Sequence, residues 1–417
     1  MSHKTKKQAK TQTKAKTKQK YKAKAKHKTQ ITTNNNNKRE RKKQPKEPTT
    51  NKIMPSTKKL NINTTKPVLV TGATGYVAGV LIKQLLEKGL TVHGTVRDPT
   101  KTERIQYLQK IADASPGKIK FFKGDLLSPG SFDDAMAGCQ VVFHTASPFV
   151  PTVKDPQRDL VDPALLGTEN VLGSVNKTPT VKRVVLTSSI VSTYGDACES
   201  TPDRQLTEEV WNRTASLTNN AYSLSKTLAE QKAWTIAGSQ TRWSMCTIMP
   251  ALVIGPGTKY HGTSTSFSLV QNLGNGDSST AMGAPPLTFG TVDVRDVATA
   301  HIVAAFAEDE VDGGRYIVTN EILKYSEMGQ AIGKVYSSKG YKIVQSALPW
   351  FFKYFMWLVA PYAGLTRSYV ANNFGYPMYI DNTKSIKELG MEYIPAEQSL
   401  QEMFQQLIDN EVVVVKK

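Results

Sequence analysis

Cysteine is scarce in this chain. Only Cys139, Cys198 and Cys246 occur in 417 residues, widely spaced and without a C-x-x-C pair. That excludes a disulfide framework and a cysteine-built zinc site, and makes a reducing compartment the default. Long apolar runs are missing too. The most hydrophobic stretch, Trp350 to Ala360, is bracketed by Pro349 and Pro361 and interrupted by Lys353. A membrane-spanning helix needs about 20 apolar residues, so no transmembrane span is expected. The stretch reads as a buried or lid-like helix whose Trp350, Phe351, Tyr354 and Phe355 wall a pocket or pack in a core; a monotopic membrane contact is the alternative. No apolar segment with the character of a secretory signal precedes it, and a cytoplasmic address is expected.

Acid is nearly absent from the first 66 positions. Of 54 Lys+Arg and 35 Asp+Glu in the chain, 22 and 2 fall there, leaving 32 and 33 for the rest. The formal charge of +19 therefore belongs to the tail, and the body is close to neutral. Residues 1–65 lack apolar periodicity and cannot bury enough surface to offset the entropy of ordering, so they read as a disordered, basic, low-complexity extension. The cluster Lys38-Arg39-Glu40-Arg41-Lys42-Lys43 fits a nuclear address or an electrostatic contact with nucleic acid or an anionic surface. A merely solvated tail is the plain alternative.

From Lys66 onward, short apolar strands alternate with helical patterns, the signature of stacked βαβ units. Strands are expected at Val68–Thr71, Thr91–Val96, Ile119–Phe122, Val141–His144 and Val184–Thr187. Asp98-Pro99 suits a helix start, with the acid as N-cap and the proline at the first position. Right-handed crossovers make such a series an α/β, Rossmann-type doubly wound parallel sheet with its ligand at the carboxyl ends of the strands. Residues 66–250 are expected to form this nucleotide domain. Residues 251–417 then supply mainly a smaller, interwoven substrate-binding lobe, with 290–320 returning to the sheet.

Thr71-Gly72-Ala73-Thr74-Gly75-Tyr76-Val77-Ala78 follows a strand and opens a helix, the context that a dinucleotide fingerprint needs. Gly72 permits the tight turn, Gly75 lets the backbone approach a pyrophosphate, and the helix start around Thr74, Tyr76 and Val77 receives the anion. The second strand ends in Arg97 rather than an acid. A guanidinium there, joined by Arg104, suits a ribose 2′-phosphate, so the expected cofactor is NADP(H). Asp125-Leu126 lines the adenine edge, and Thr145-Ala146-Ser147 leaves the fourth strand beside the cofactor. His144 reads as a packed, hydrogen-bonded histidine.

Tyr222 and Lys226 stand four apart, on one face of a helix. A nearby cation favours a phenolate, so the pair suits proton transfer. With the glycine turn upstream, it points to hydride transfer at a carbonyl.

Six segments together resemble the extended short-chain dehydrogenase/reductases: Val70 to Tyr76, Thr95 to Pro99, Gly124-Asp125-Leu126, Phe143 to Pro148, Thr187-Ser188-Ser189 and Tyr222-x-x-Ser225-Lys226-Thr-Leu-Ala-Glu230. Within that family the chain is similar to the dihydroflavonol-reductase, cinnamoyl-CoA-reductase and aldehyde/methylglyoxal-reductase group, from about Lys66 to Gln405. The resemblance implies a Ser-Tyr-Lys site. Ser189 holds the substrate carbonyl oxygen, with Thr187 and Ser188 as neighbours of uncertain register. Tyr222 protonates the developing alkoxide, Lys226 binds the nicotinamide ribose, and Pro250 shapes the nicotinamide pocket. Two departures bear on substrate: the Asn-Trp-Tyr-Cys-Tyr pattern of cinnamoyl-CoA reductases is absent, and Tyr194 stands where dihydroflavonol reductases carry asparagine. The expected reaction is NADPH-dependent reduction of a small-molecule aldehyde or ketone, apolar or aromatic. The alternatives are a 3β-hydroxysteroid or sterol-type dehydrogenase and a non-catalytic NADPH-binding protein with a nucleic-acid-binding tail.

Overall fold

The computed structural model describes residues 65–415 apart from 149–152, 276–282, 308–310, 312 and 350. The basic tail, and with it the expected disorder and polyanion contact of residues 1–64, lies outside the described residues, as does Trp350.

The strands are β1 Val68–Val70, β2 Thr91–Val96, β3 Lys118–Lys123, β4 Val141–His144, β5 Arg183–Thr187, β6 Ser244–Pro250, β7 Leu252–Ile254, β8 Thr288–Asp293, β9 Arg315–Val318 and β10 Glu321–Lys324. Seven of them form one parallel sheet in the order β3-β2-β1-β4-β5-β6-β9. Strands β1 and β4 are buried along their whole length, as continuous apolar runs with helices on both faces should be. Strand β3 is one of the two edges, β9 the other. Lys118, Lys120 and Lys123 keep the β3 edge charged and discourage pairing with another chain. A three-stranded sheet, β10-β8-β7, stands apart from the seven.

Helices Tyr76–Glu87 and Val294–Phe306 pack with one face of the large sheet, sharing a core with Val70, Val92 and Ile248. Helix Asp162–Lys177 packs on the other face with Leu69, Val142 and Val184. Helices Thr265–Asn275, Tyr325–Tyr336 and Ala396–Asp409 enclose a separate core. In the last of these, Leu400, Met403, Phe404 and Leu407 are buried at the spacing of a single helix face. Within 290–320, β8 belongs to the small sheet, whereas β9 adds the seventh strand of the large one.

Two local expectations need correction. Asp98 does not cap a helix: its Oδ1 accepts from Thr100 N (3.0 Å) and Thr100 Oγ1 (2.6 Å), closing a turn. Local side-chain bonding of this kind competes with capping. The helix begins only at Gln106, after a 3-10 turn at Thr102–Arg104. The aromatic segment is no packed core helix either. Helix Phe352–Val359 buries none of its side chains, and Phe351, Tyr354 and Phe355 are 58, 69 and 53% exposed. Among the described residues, no helix is long and apolar enough to cross a membrane.

Candidate active site

Strand order reverses between β1 and β4, and open α/β sheets hold ligands in the crevice at such a switch point. The two strand ends are knotted through Thr71. Its amide donates to Phe143 O (3.0 Å), its hydroxyl accepts from Ala146 N (3.0 Å), and its carbonyl accepts from Thr145 Oγ1 (2.5 Å). The Thr71 hydroxyl is also hydrogen-bonded to His144 Nδ1 (3.0 Å). Burial first, and Lys226 second, pushes the pKa of His144 down to about 3, so the ring is neutral. It is packed and hydrogen-bonded, as the sequence suggested.

Gly72 has φ +68°, and a Cβ there would lie 3.0 Å from Ala146 Cβ. No other residue type fits this turn without strain. Gly75 precedes helix Tyr76–Glu87, whose first turn carries no acid, leaving the positive helix end open to an anion. The Tyr76 side chain turns away. Its hydroxyl donates to Gly255 O and its ring packs on Phe267 at 5.1 Å between centroids. Burial, with Asp293 nearby, raises its pKa well above the usual value. Tyr76 can therefore serve an anion through its main chain, and Val77 packs against the core.

A cavity beside this turn is lined by Thr74, Arg97, Asp98, Lys101 and Arg104. Arg97 and Arg104 were expected together. Lys101 is a cation that the sequence reading missed, although its place four residues after Arg97 was visible. Lys259 stands behind them over the Tyr107 ring (4.4 Å), its pKa lowered by burial and by Arg104.

A second cavity runs from Leu126 past Ala146 and Ser147 to Thr187, Ser188 and Lys226. Asp125 is not among its lining residues; its Oδ1 accepts from Leu127 N (2.9 Å). At the end of β5 the three hydroxyls part company. Thr187 Oγ1 donates to His301 Nε2 (2.6 Å), whose pKa burial lowers to about 4. Ser188 Oγ donates to Glu230 Oε2 (2.5 Å). Ser189 Oγ accepts from Val191 N (3.4 Å), and among the described residues its own proton has no acceptor. Pro250 ends β6, paired with Val318.

Helix Ala221–Gly238 carries Tyr222 and Lys226. Lys226 Nζ donates to Ser147 Oγ (3.2 Å) and lies 6.0 Å from the centre of the Tyr222 ring. Tyr222 is 53% exposed. One turn further on, Glu230 is 1% exposed and pairs with Arg315 Nε at 2.7 Å. Arg315 also donates to Val210 O and Ser192 Oγ and lies 3.7 Å over the Trp211 ring. The sequence displayed Glu230 within its lysine motif, yet nothing local announced a partner 85 positions away.

The sequence profile of the NAD dependent epimerase/dehydratase family matches residues 68–319. A cinnamoyl-CoA reductase of Medicago truncatula is 39% identical over 343 residues, covering 82% of this chain and 95% of that protein. Among solved structures, Gre2 of Candida albicans in complex with NADPH superposes with a TM-score of 0.67 at 29% identity, over 82% of this chain and 99% of that one. The yeast methylglyoxal/isovaleraldehyde reductase Gre2, also with NADPH, gives 0.66 at 27% identity, over 84% of this chain and 100% of that one.

Proposed function

Because the chain belongs to the NAD-dependent epimerase/dehydratase family, we propose that it reduces an aldehyde or ketone through Ser189, Tyr222 and Lys226. It is an NADP-dependent oxidoreductase of the extended short-chain dehydrogenase/reductase type. The names borne by its relatives, cinnamoyl-CoA reductase and methylglyoxal/isovaleraldehyde reductase, denote carbonyl reduction.

The observation that carries the reading is the Lys226–Ser147 hydrogen bond. Ser147 follows Ala146, which abuts Gly72, so the tyrosine helix reaches the crevice at the glycine turn. The residues present fit NADPH. Gly72 and Gly75 form a cradle that side chains would fill, and the adjoining helix start lacks acid. Arg97, Lys101 and Arg104 suit a 2′-phosphate. When bound, NADPH supplies the hydride.

The chain's own groups handle the oxygen. Ser189, with its proton uncommitted, donates a hydrogen bond to the substrate carbonyl. Tyr222 gives its phenolic proton to the same oxygen as negative charge develops there. Lys226 stabilises the phenolate left behind. Ser188 does not compete, because its proton is held by Glu230.

The test is turnover of an aldehyde and ketone panel by purified protein, followed by loss of reduced-nicotinamide absorbance. NADPH should be preferred to NADH. Tyr222→Phe should lower kcat by about 10²–10⁴-fold with NADPH affinity unchanged. Full activity in that variant sinks the proton-donor assignment.

A further inference from the structure

Among the described residues no hydrogen bond holds the Tyr222 hydroxyl, so the backbone at the helix start decides where the phenol points. That start is unusual. Asn220, a non-glycine residue, sits in the left-handed region at φ 57° and ψ 49°, a conformation that persists only where its surroundings hold it. Its side chain makes no helix cap. Instead, Asn220 Nδ2 donates to Gly195 O (2.6 Å) and to Asp196 Oδ1 (2.8 Å). The neighbouring Asn219 Nδ2 donates to Asp196 Oδ2 (3.0 Å).

The same carboxylate is gripped from the opposite side of the sequence. Asn373 Nδ2 donates to Oδ1 (2.7 Å) and Asn372 Nδ2 to Oδ2 (3.0 Å), both from helix Arg367–Asn373. Each oxygen thus takes one amide from the two residues that lead into the tyrosine helix and one from the C-terminal segment. An ionised carboxylate is acceptor-only and can satisfy all four donors. Asp196 is 4% exposed, and its own backbone is fixed. Glu199 Oε1 accepts from Asp196 N (2.9 Å) and Gly195 N (3.2 Å), and also from Thr214 Oγ1 (2.5 Å). Asn373 Oδ1 closes the knot by accepting from Ala197 N (2.9 Å).

We infer that Asp196 is a positioning residue: it locks the left-handed start of the tyrosine helix to helix Arg367–Asn373 and so fixes Tyr222 over the reaction centre. This rests on the proton-donor role proposed for Tyr222. The carboxylate does not touch substrate or cofactor; it acts through the backbone geometry of Asn219 and Asn220. Through Asn372 and Asn373 it also makes the aim of the phenol depend on the seating of the C-terminal segment.

Asp196→Asn keeps the shape but turns an amino group toward amide donors. In the full chain, amide hydrogen exchange across residues 221–226 should accelerate about tenfold relative to residues 230–238. The kcat for carbonyl reduction should fall about 10–100-fold, as expected for a misplaced catalytic group. Affinity for NADPH should stay within about twofold. A folded variant with wild-type exchange and wild-type kcat overturns the inference, and so does a collapse of cofactor affinity in parallel with kcat. Should Asp196→Asn fail to fold, Asn220→Gly decides. Glycine accepts the left-handed backbone and removes one donor, so the same changes are expected at smaller size, and none of them overturns the inference. If the wild type reduces no carbonyl at all, the reductase reading fails while the exchange measurement still judges the lock.

Discussion

The two ends of the crevice are built on opposite plans. At the glycine end the turn itself is tied down: the amide, hydroxyl and carbonyl of Thr71 each have a partner, His144 is neutral and buried, and Gly72 leaves no space for a side chain. At the end proposed for the carbonyl, the Ser189 hydroxyl has no acceptor among the described residues and Tyr222 stands half in solvent. A turn tied down in this way suits the phosphate proposed to bind there. Lack of commitment is what a proton donor requires, since a phenol already bonded within the protein has nothing to offer a substrate. The helix that carries Tyr222 and Lys226 is held by two buried carboxylates, Glu230 on the helix itself and Asp196 before its start. Glu230 fixes its middle through Arg315, and Asp196 fixes its start through four amides.

The largest expected effect breaks the buried scaffold. Glu230→Ala leaves Arg315 buried without its counter-charge, and losing one partner of such a pair costs about 3–5 kcal/mol. Urea unfolding should show that loss; a change below about 1 kcal/mol would mean that the ion pair does not hold the helix. A smaller effect sharpens the cofactor end. Lys101→Ala should raise the Kd for NADPH about tenfold, roughly the worth of one hydrogen bond to a charged group, while leaving NADH unaffected. Equal weakening of both cofactors would move the 2′-phosphate away from the Arg97–Arg104 cavity.

The third effect appears only on acidification. His144 and His301 have their pKa values lowered by burial to about 3 and about 4, against an ordinary 6.5. Between those values and 6.5 the unfolded chain binds more protons than the folded one, so stability rises with pH across that window. It is complete above about 6.5 and is lost as pH falls toward 4. His301→Asn should flatten the slope of unfolding free energy between about pH 4 and 6 by up to about 1.4 kcal/mol per pH unit. An unchanged slope would show that this ring is not a buried neutral group.

Much of the cofactor end was legible in the chain because its signals are local. A glycine turn after an apolar strand, an arginine closing the second strand and small residues leaving the fourth each declare their chemistry within a few positions. The carbonyl end was half legible. The spacing of Tyr222 and Lys226 put them on one helix face, but nothing in Thr187-Ser188-Ser189 separated the three hydroxyls. Their difference lies in His301 and Glu230, distant partners that take two of the protons. Asp98-Pro99 misled for the opposite reason: a cap and a turn share residues, and the competing bond to Thr100 won.

The order of apolar strands and glycine turns was by itself enough to determine the doubly wound sheet and to point to a nucleotide and to cations at the glycine turn, because those features depend on neighbours along the chain. Only the tertiary structure decided which serine keeps its proton, that Lys101 joins the two arginines, and that Asp196 gathers four asparagines from segments about 150 positions apart. A hydrogen bond between distant segments leaves no periodicity in sequence; it exists only once packing has brought donor and acceptor within reach.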